Sequence, residues 1–220
     1  MTGTSYKKSN VLINAEQLGE TVLGHQLFIL GLKELYVDDN NRVIATVTCR
    51  DFKDALGHKS DSIYARVKRF CERSDRHACI YDWKVKIKDS LSGKTQVFDV
   101  VDEAAYQDGI VKITYNKALS RLLINLKNNY TVLSFSEVMN LSGTTAIRLY
   151  EILMALCAGK EKAREYEWGQ LQNTLGTDLS KAAIRKAVQE LNEKTRLEVS
   201  INENDGRIQS LRVRKQLDIC

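Results

Sequence analysis

The sequence has 220 residues, of which 43% are hydrophobic and 28% are charged, a composition that excludes intrinsic disorder and allows one large domain or two small ones. The formal net charge of +5 permits nucleic-acid binding but does not demonstrate it. No apolar run reaches the roughly 18 residues that a membrane span needs, and the polar start lacks a signal-peptide core, so we expect a cytoplasmic protein without a membrane partner.

The first half of the chain predicts helices followed by strands. Apolar residues at helical spacing predict a helix over 16–35, and a β-branched run predicts a strand over 43–47. Two helices follow, over 50–56 and 60–74, with Gly57 between them. The remaining predicted elements of this half are a hairpin of 80–87 with 96–101, a strand over 110–115 and a short helix over 117–126.

The second half repeats this order. A short helix over 135–141 precedes a strongly apolar one over 144–158, and a brief extended stretch leads into helices over 169–175 and 179–193. Two strands, 197–202 and 208–213, are joined by Asn-Glu-Asn-Asp-Gly, a strong hairpin signal. Two helices and then a hairpin, in both halves, predict an α+β protein of two tandem winged-helix domains, 1–127 and 128–220.

Signatures of catalysis and of metal binding are missing from the sequence. The five cysteines stand at irregular spacing without a close pair that could hold zinc, and we expect reduced, mostly buried thiols. There is no Walker loop, dinucleotide-binding glycine pattern or Gly-x-Ser-x-Gly elbow. The sequence therefore predicts a protein that is not an enzyme and has no cofactor and no metal site.

The helix over 179–193 has the pattern of a recognition helix, which packs on one face and reads bases in the major groove with the other. Lys181, Arg185 and Gln189 recur at four-residue spacing opposite an apolar stripe. Arginine can donate two hydrogen bonds to guanine, and glutamine can pair with adenine. Lys186 is expected to hold a phosphate. An ordinary solvated helix face would show the same spacing, so the choice between a recognition helix and a solvated helix depends on the neighbouring elements.

The hairpin that follows is also basic. Arg207 lies at its predicted tip, where a wing would reach the DNA backbone or the minor groove, and Arg212 adds charge to the return strand beside Arg214 and Lys215. The first half carries a comparable line of residues: Lys59, Ser62, Arg66, Arg69 and Arg73. Because Asp61 and Glu72 interrupt that line, we expect contacts with the DNA backbone there.

Three segments of the second half match motifs of a known family. Residues 141–153 (LSGTTAIRLYEIL), Trp168 with 171–176, and 187–195 (AVQELNEKT) resemble the segments S-x-x-A-I-R-L-Y-E-L-L, W-x-x-x-E-L-R-x-x-L-G and A-I-K-E-I-N-E-K-T of the Rep_3 plasmid replication initiators. The resemblance runs from about 113 to 213 and is looser before that. One departure is Arg185-Lys186, where the family frequently has Asp-Pro.

The resemblance implies an initiator that binds repeated origin sequences, called iterons, in double-stranded DNA. It also implies recruitment of host replication proteins such as a helicase or the chromosomal initiator, a homodimer in equilibrium with monomer, and autorepression by the dimer. We expect the first domain to supply the dimer contact through exposed strand edges between 80 and 101, and the second domain to supply sequence-specific DNA binding.

Two other functions fit the same sequence. A winged-helix transcriptional regulator without an origin role would share every DNA-binding feature and differ only in its binding sites, so direct repeats near the gene would separate the two. A partner-binding structural protein would instead use the apolar helix around 147–156 as an exposed interface. Burial of that helix would argue against this third function.

Overall fold

The computed structural model describes residues 5–57, 61–74, 76–88, 93–124, 126–158, 163–176 and 179–216. The chain forms two compact units, Met1–Met139 and Asn140–Cys220. The division falls after the expected position 127 because a strand at Tyr130–Ser134 pairs antiparallel with Ser5–Ser9 and so belongs to the first unit. Neither of these two strands was predicted.

The elements of the first unit are, in chain order, β1 (Ser5–Ser9), α1 (Asn10–Asn14), β2 (Glu16–Leu18), α2 (Val22–Gly31), β3 (Leu35–Val37), β4 (Val43–Thr48), α3 (Cys49–Ala55), α4 (Ser62–Cys71), β5 (Lys84–Lys88), β6 (Thr95–Asp99), β7 (Val101–Gln107), β8 (Ile110–Tyr115), α5 (Ser120–Leu123), β9 (Tyr130–Ser134) and α6 (Phe135–Asn140). Short 3-10 turns cover Ile80–Asp82 and Lys117–Leu119. The described strands form sheets in the orders β3-β4-β8-β7, β2-β5-β6 and β1-β9.

Helix α2 is buried around its circumference and lies at the centre of the first unit. The ring of Phe28 meets Trp83 and Tyr115 edge-on, with centroids 5.1 Å and 5.4 Å away. Such edge contacts between aromatic rings add to the stabilisation from burial. Burial on every side, which here includes the polar His25 and Gln26, is typical of a helix inside a core, and α2 is such a helix.

The predicted helix over 16–35 was wrong in its bounds, since the segment also contains β2 and the start of β3. Gly19 has a φ of +65°, which ends β2, and a β-carbon at that position would lie 2.1 Å from the backbone oxygen of Asp82. The helix begins only after Thr21, whose hydroxyl accepts a hydrogen bond from the Gly24 amide at 3.0 Å. Turn and capping chemistry therefore overrides the apolar periodicity.

The predicted hairpin of 80–87 with 96–101 was partly right. Strands β5 and β6 do pair antiparallel, but they form a sheet with β2, whereas Ile80 lies in a 3-10 turn. The hairpin beside β4 is β7–β8, whose first strand was not predicted. Its turn is Asp108-Gly109, with φ values of +50° and +80°, the geometry that Asp-Gly favours in a two-residue hairpin.

The elements of the second unit are α7 (Thr144–Cys157), β10 (Arg164–Glu167), α8 (Trp168–Leu175), α9 (Lys181–Lys194), β11 (Leu197–Asn204) and β12 (Arg207–Lys215). The sheet order is β10-β12-β11, which repeats the order β4-β8-β7 of the first unit. In each unit a strand leads into two helices and the chain then returns as a hairpin. The prediction of two winged-helix domains in an α+β protein is confirmed.

The apolar faces of α7 and α9 form the core of the second unit. Ile184, Val188 and Leu191 on α9 are buried as the stripe predicts, and Ile147 and Leu153 on α7 are fully buried. Helix α7 is therefore not the exposed interface that a partner-binding structural protein would need.

The described cysteines, Cys49, Cys71, Cys79 and Cys157, are free and buried, as expected, and Cys220 lies outside the described residues. Burial raises the pKa of Cys71 to about 12, which keeps this thiol protonated at neutral pH. In the described part of the chain, no three His, Cys, Asp or Glu side chains group closely enough to hold a metal ion. None of the described helices has the length and apolar character of a membrane span.

Glu190 joins α9 to the loop before α7. Its carboxylate accepts hydrogen bonds from the amide and hydroxyl of Ser142, at 2.7 Å and 2.8 Å, and from the ammonium of Lys194 at 2.7 Å. Lys194 also donates to the carbonyl of Asn140 at 3.1 Å. Burial raises the pKa of Glu190, but the hydrogen bonds from Lys194 and Ser142 lower it by more, and the net shift of the pKa is downward.

Replacing Glu190 should therefore destabilise the second unit in a pH-dependent way. We expect Glu190→Gln to lower the free energy of unfolding by about 1 to 3 kcal/mol at pH 7, because charge-assisted hydrogen bonds are lost. A lowered folded-state pKa stabilises the fold above the unfolded pKa of about 4.3, and this contribution disappears as the pH falls through the folded value. Urea unfolding of both proteins between pH 7 and pH 3 measures the difference.

The matched control is Glu193→Gln on the exposed side of the same helix, where little change in stability is expected. A deficit of Glu190→Gln that stayed constant down to pH 3 would show that the carboxylate charge is not what stabilises this contact.

Candidate nucleic-acid interface

Helix α9 exposes one face to solvent while its apolar stripe is buried. Lys181, Arg185, Lys186 and Gln189 are all exposed. The hydroxyl of Ser180 caps the helix by accepting a hydrogen bond from the Ala183 amide at 3.1 Å, which fixes the first turn and the direction of Lys181. The exposed positions of the expected reading face are therefore as the helical spacing predicts.

Each of the three residues expected to read bases has a partner within the second unit. The ammonium of Lys181 donates to the carbonyl of Gly206 at 2.6 Å, and the amide of Gln189 donates to Glu193 Oε1 at 2.8 Å. Arg185 forms a two-pronged ion pair with Glu203 on β11, with Nη2 at 2.8 Å from Oε1. Two of these bonds tie the helix to the hairpin β11–β12.

The sequence did not single out the acidic partners Glu193 and Glu203. Glu193 follows Gln189 by four residues, and helical spacing alone could have indicated that pair. Glu203 is 18 residues from Arg185 along the chain. Glu203 reaches Arg185 only because the hairpin folds back toward α9, so no local sequence pattern could have predicted this ion pair.

The hairpin β11–β12, here called the second wing, projects beyond its sheet. Strand β10 pairs with β12 only as far as Ser210, so the residues of β12 from Arg207 to Gln209 extend past it, by about 10 Å at 3.3 Å per residue. The turn is Asp205-Gly206, with φ values of +49° and +69°, which is tighter than the predicted five-residue connection. Arg207 is exposed at the tip, as expected.

Arg212 is exposed but lies farther along β12, opposite Ser200 on one side and Glu165 on the other. Five residues of strand separate it from Arg207, or about 17 Å. The second unit therefore groups Lys181, Arg185 and Arg207 around the wing tip and the start of α9, and it leaves Arg212 nearer the middle of the sheet.

In the first unit, Ser62, Arg66 and Arg69 lie on the exposed side of α4, as predicted, and Lys59 lies outside the described residues. Arg73 stacks over the ring of Tyr81 at 4.0 Å from its centroid, so its guanidinium already has a partner. No acidic residue occurs within α4. The helix that corresponds to α9 in this unit therefore has a basic exposed face.

The hairpin β7–β8, here called the first wing, differs from the second wing in two ways. Strand β8 stays paired with β4 up to Ile110 opposite Thr48, and the carbonyl of Gly109 accepts a hydrogen bond from the Cys49 amide at 2.7 Å. The turn is thereby held at the edge of the sheet and does not project. The two wings also differ in charge, because each carries three acidic residues but the numbers of basic residues are unequal. The first wing has Lys112 against Asp102, Glu103 and Asp108, whereas the second wing has Arg207, Arg212, Arg214 and Lys215 against Glu198, Glu203 and Asp205.

Comparison with solved structures finds the same architecture elsewhere. The chain is similar to the Pi initiator protein crystallised in complex with iteron DNA, with a TM-score of 0.70 and 14% identity, over 99% of this chain and 98% of that chain. It is also similar to domains 2 and 3 of RctB, with a TM-score of 0.51 and 12% identity, over 90% of this chain and 81% of that chain. At such low identity these likenesses show the fold.

Curated proteins give no significant match to the sequence. Residues 5–154, however, match the family Rep3_N, described as initiator replication protein, WH1. The matched region contains the whole first winged-helix unit and continues to the AIRLYEIL segment of α7. The motifs of the second half indicated this family, and a match that lies mostly in the first half confirms it. The chain belongs to the family of initiator replication proteins.

Proposed function

We propose that this initiator binds repeated origin sequences in double-stranded DNA and that its second unit reads the bases. The observation that carries the proposal is the exposed face of α9, with Lys181, Arg185 and Gln189, joined to a projecting wing that carries Arg207 at its tip. Major-groove readout needs such a helix, and a wing beside it can hold the backbone. The Pi initiator, which has this fold, was crystallised with iteron DNA, and this supports the proposed ligand.

The first unit contacts the DNA backbone under this proposal. Arg66 and Arg69 on α4 supply exposed positive charge, but the first wing is acidic and does not project, so it is poorly suited to approach phosphates. The two units then differ in role: one contributes affinity that does not depend on sequence, and the other contributes the reading of sequence.

Two arginines of the second unit should have separable effects on binding. We expect Arg185→Ala to cost about 1 to 3 kcal/mol at the specific site and to relax preference at one base position, as for loss of a bidentate base contact. Arg207→Ala should weaken specific and unrelated duplexes alike and reduce the salt dependence of binding by about one counterion, because a phosphate contact is lost.

The probe is the duplex that the wild-type protein selects from a randomised pool, here called the selected duplex, with a scrambled duplex as control. Titrations of both variants at several salt concentrations give affinity and specificity together. A uniform loss for Arg185→Ala, with specificity unchanged, would exclude α9 from base reading. If the selected sequence occurs only singly at a promoter and not as direct repeats, the protein is a transcriptional regulator.

We also propose that the initiator exists as monomer and homodimer, with strand β6 at the contact. Strand β6 is the outer strand of the sheet β2-β5-β6, and the Val97 side chain on it is 53% exposed. An outer strand has unpaired backbone groups that a second copy can pair with. A dimer formed there would serve autorepression, and the monomer would serve initiation with recruited host replication proteins such as a helicase or the chromosomal initiator.

A charge on β6 should weaken self-association. We expect sedimentation of the full-length wild-type protein to show a concentration-dependent dimer and Val97→Lys to shift the equilibrium toward monomer by about tenfold or more, because charged edge strands oppose pairing. Val132→Lys, at a 48% exposed valine on β9, is the matched control and should sediment like wild type. An unaltered dimer in Val97→Lys would place the contact elsewhere.

Origin opening, in our proposal, depends on binding and on deformation of the DNA and not on catalysis. Purified protein should therefore leave supercoiled plasmid that carries the selected duplex intact in the presence of Mg²⁺ or Mn²⁺, and should release no phosphate from ATP. Gel analysis of nicked circles and a phosphate assay measure this. Metal-dependent nicking that follows the protein through purification would contradict the proposal.

A further inference from the structure

We propose that Glu203 on the second wing is a positioning residue for base recognition, which holds the guanidinium of Arg185 with one end open to a guanine. This inference rests on the proposed function, since it requires that Arg185 meets a base. It adds a specificity-determining residue that lies outside the recognition helix and carries a negative charge.

The hydrogen bonds use one edge of the arginine. Nε and Nη2 of Arg185 donate to Oε1 of Glu203 at 3.1 Å and 2.8 Å, and Nη2 also donates to Oε2 at 3.1 Å. Both nitrogens belong to the same side of the planar group. Among the described residues, no hydrogen bond or ion pair of Arg185 is formed through Nη1. Nη1 is therefore left to donate to a guanine acceptor, and Nη2 can complete the bidentate contact with O6 and N7 by exchanging its longer bond to Oε2 for the base.

Burial agrees with this arrangement. The side chain of Arg185 remains 51% exposed, although it is fixed, and that of Glu203 is 31% exposed. A free arginine loses rotamer freedom when it binds a base, and an arginine that is already held loses less. The bond from Lys181 to the carbonyl of Gly206 at 2.6 Å ties the tip of the same wing to the start of α9, so the carboxylate is presented by a hairpin that is itself held.

The charge of Glu203 favours selectivity over affinity. A carboxylate beside the groove repels phosphates and reduces attraction to every duplex, so its presence there weakens binding that does not depend on sequence. This loss of affinity is offset only at a sequence where the guanidinium of Arg185 forms hydrogen bonds with a base. Glu203 therefore acts both by orienting Arg185 at the correct sequence and by lowering affinity elsewhere.

Strand β11 offers a matched control. Glu198 is also exposed on this strand and stands opposite Arg214 on β12, away from Arg185. Glu198→Gln removes the same charge from the same strand without touching the guanidinium. A difference between Glu203→Gln and Glu198→Gln thus isolates the contact from the general electrostatic effect.

The experiment titrates wild type, Glu203→Gln, Glu198→Gln, Arg185→Ala and the double variant Arg185→Ala/Glu203→Gln with the selected duplex, the scrambled duplex and single-base variants of the selected duplex. We expect Glu203→Gln to lower the ratio of specific to scrambled affinity by about tenfold, within the range for one bidentate arginine–base pair, and to relax preference at the same base position as Arg185→Ala. The double variant should be no less specific than Arg185→Ala alone. Glu198→Gln should raise affinity for all duplexes slightly and keep the ratio.

Three results would overturn the inference: equal behaviour of Glu203→Gln and Glu198→Gln, relaxed preference at a different base position, or additive losses in the double variant. Thermal unfolding checks that Glu203→Gln folds, as an exposed ion pair adds little to stability. Failure of the proposed function looks different, because the wild-type protein would then select no sequence or Arg185→Ala would leave specificity unchanged.

Discussion

The carboxylate of Glu190 fixes helix α9 against the loop before α7, and the chemistry of the exposed face depends on that placement. Three hydrogen bonds meet at this one group, two from Ser142 and one from Lys194. Ser142 lies in the first of the three segments that resemble the family motifs, and Glu190 lies in the third. With α9 anchored on this side and its apolar stripe buried, Lys181, Arg185 and Gln189 are left on the solvent side, where the second wing contacts the first two.

Charge is arranged differently on the two wings, although both end in the same Asp-Gly turn. The first wing is held at its sheet edge by the Cys49 amide and is predominantly acidic, while the second extends past its sheet and has a small excess of basic residues. The fold is therefore duplicated, but the projecting wing with a basic residue at its tip is not. This asymmetry is the physical basis for assigning sequence reading to the second unit.

Much of the fold could be predicted from local pattern. The amphipathic spacing of α9 and the β-branched run of β4 placed these elements to within about two residues, and the order of elements gave the duplicated architecture. Errors arose where chain pairing is non-local. Strands β1 and β9 are more than 100 residues apart in sequence, and neither shows the alternation of apolar and polar residues that indicates a strand, so neither could be recognised alone.

For the site, the exposed positions on α9 could be predicted from the sequence, but their hydrogen-bond partners could not. Exposure of Arg185 follows from helical periodicity, whereas its bond with Glu203 depends on how a distant hairpin folds back. The first strand of the first wing was missed for another reason: the Asp108-Gly109 turn is a strong hairpin signal, but Val101 is the only β-branched residue of β7. Propensity was outweighed there by pairing with β8.

The two-residue turn of the second wing sets a limit on how this protein can change length. Surface loops usually tolerate insertions, because little depends on their register. In a hairpin, however, adding one residue to β11 just before Glu203 would move each following side chain to the opposite face. Glu203 would then point away from α9, and the carbonyl of Gly206 would no longer reach Lys181. Substitutions at the wing tip are compatible with the fold, but insertions and deletions there would uncouple the wing from the helix, so variation among related initiators should occur at this tip by exchange of residues at constant length.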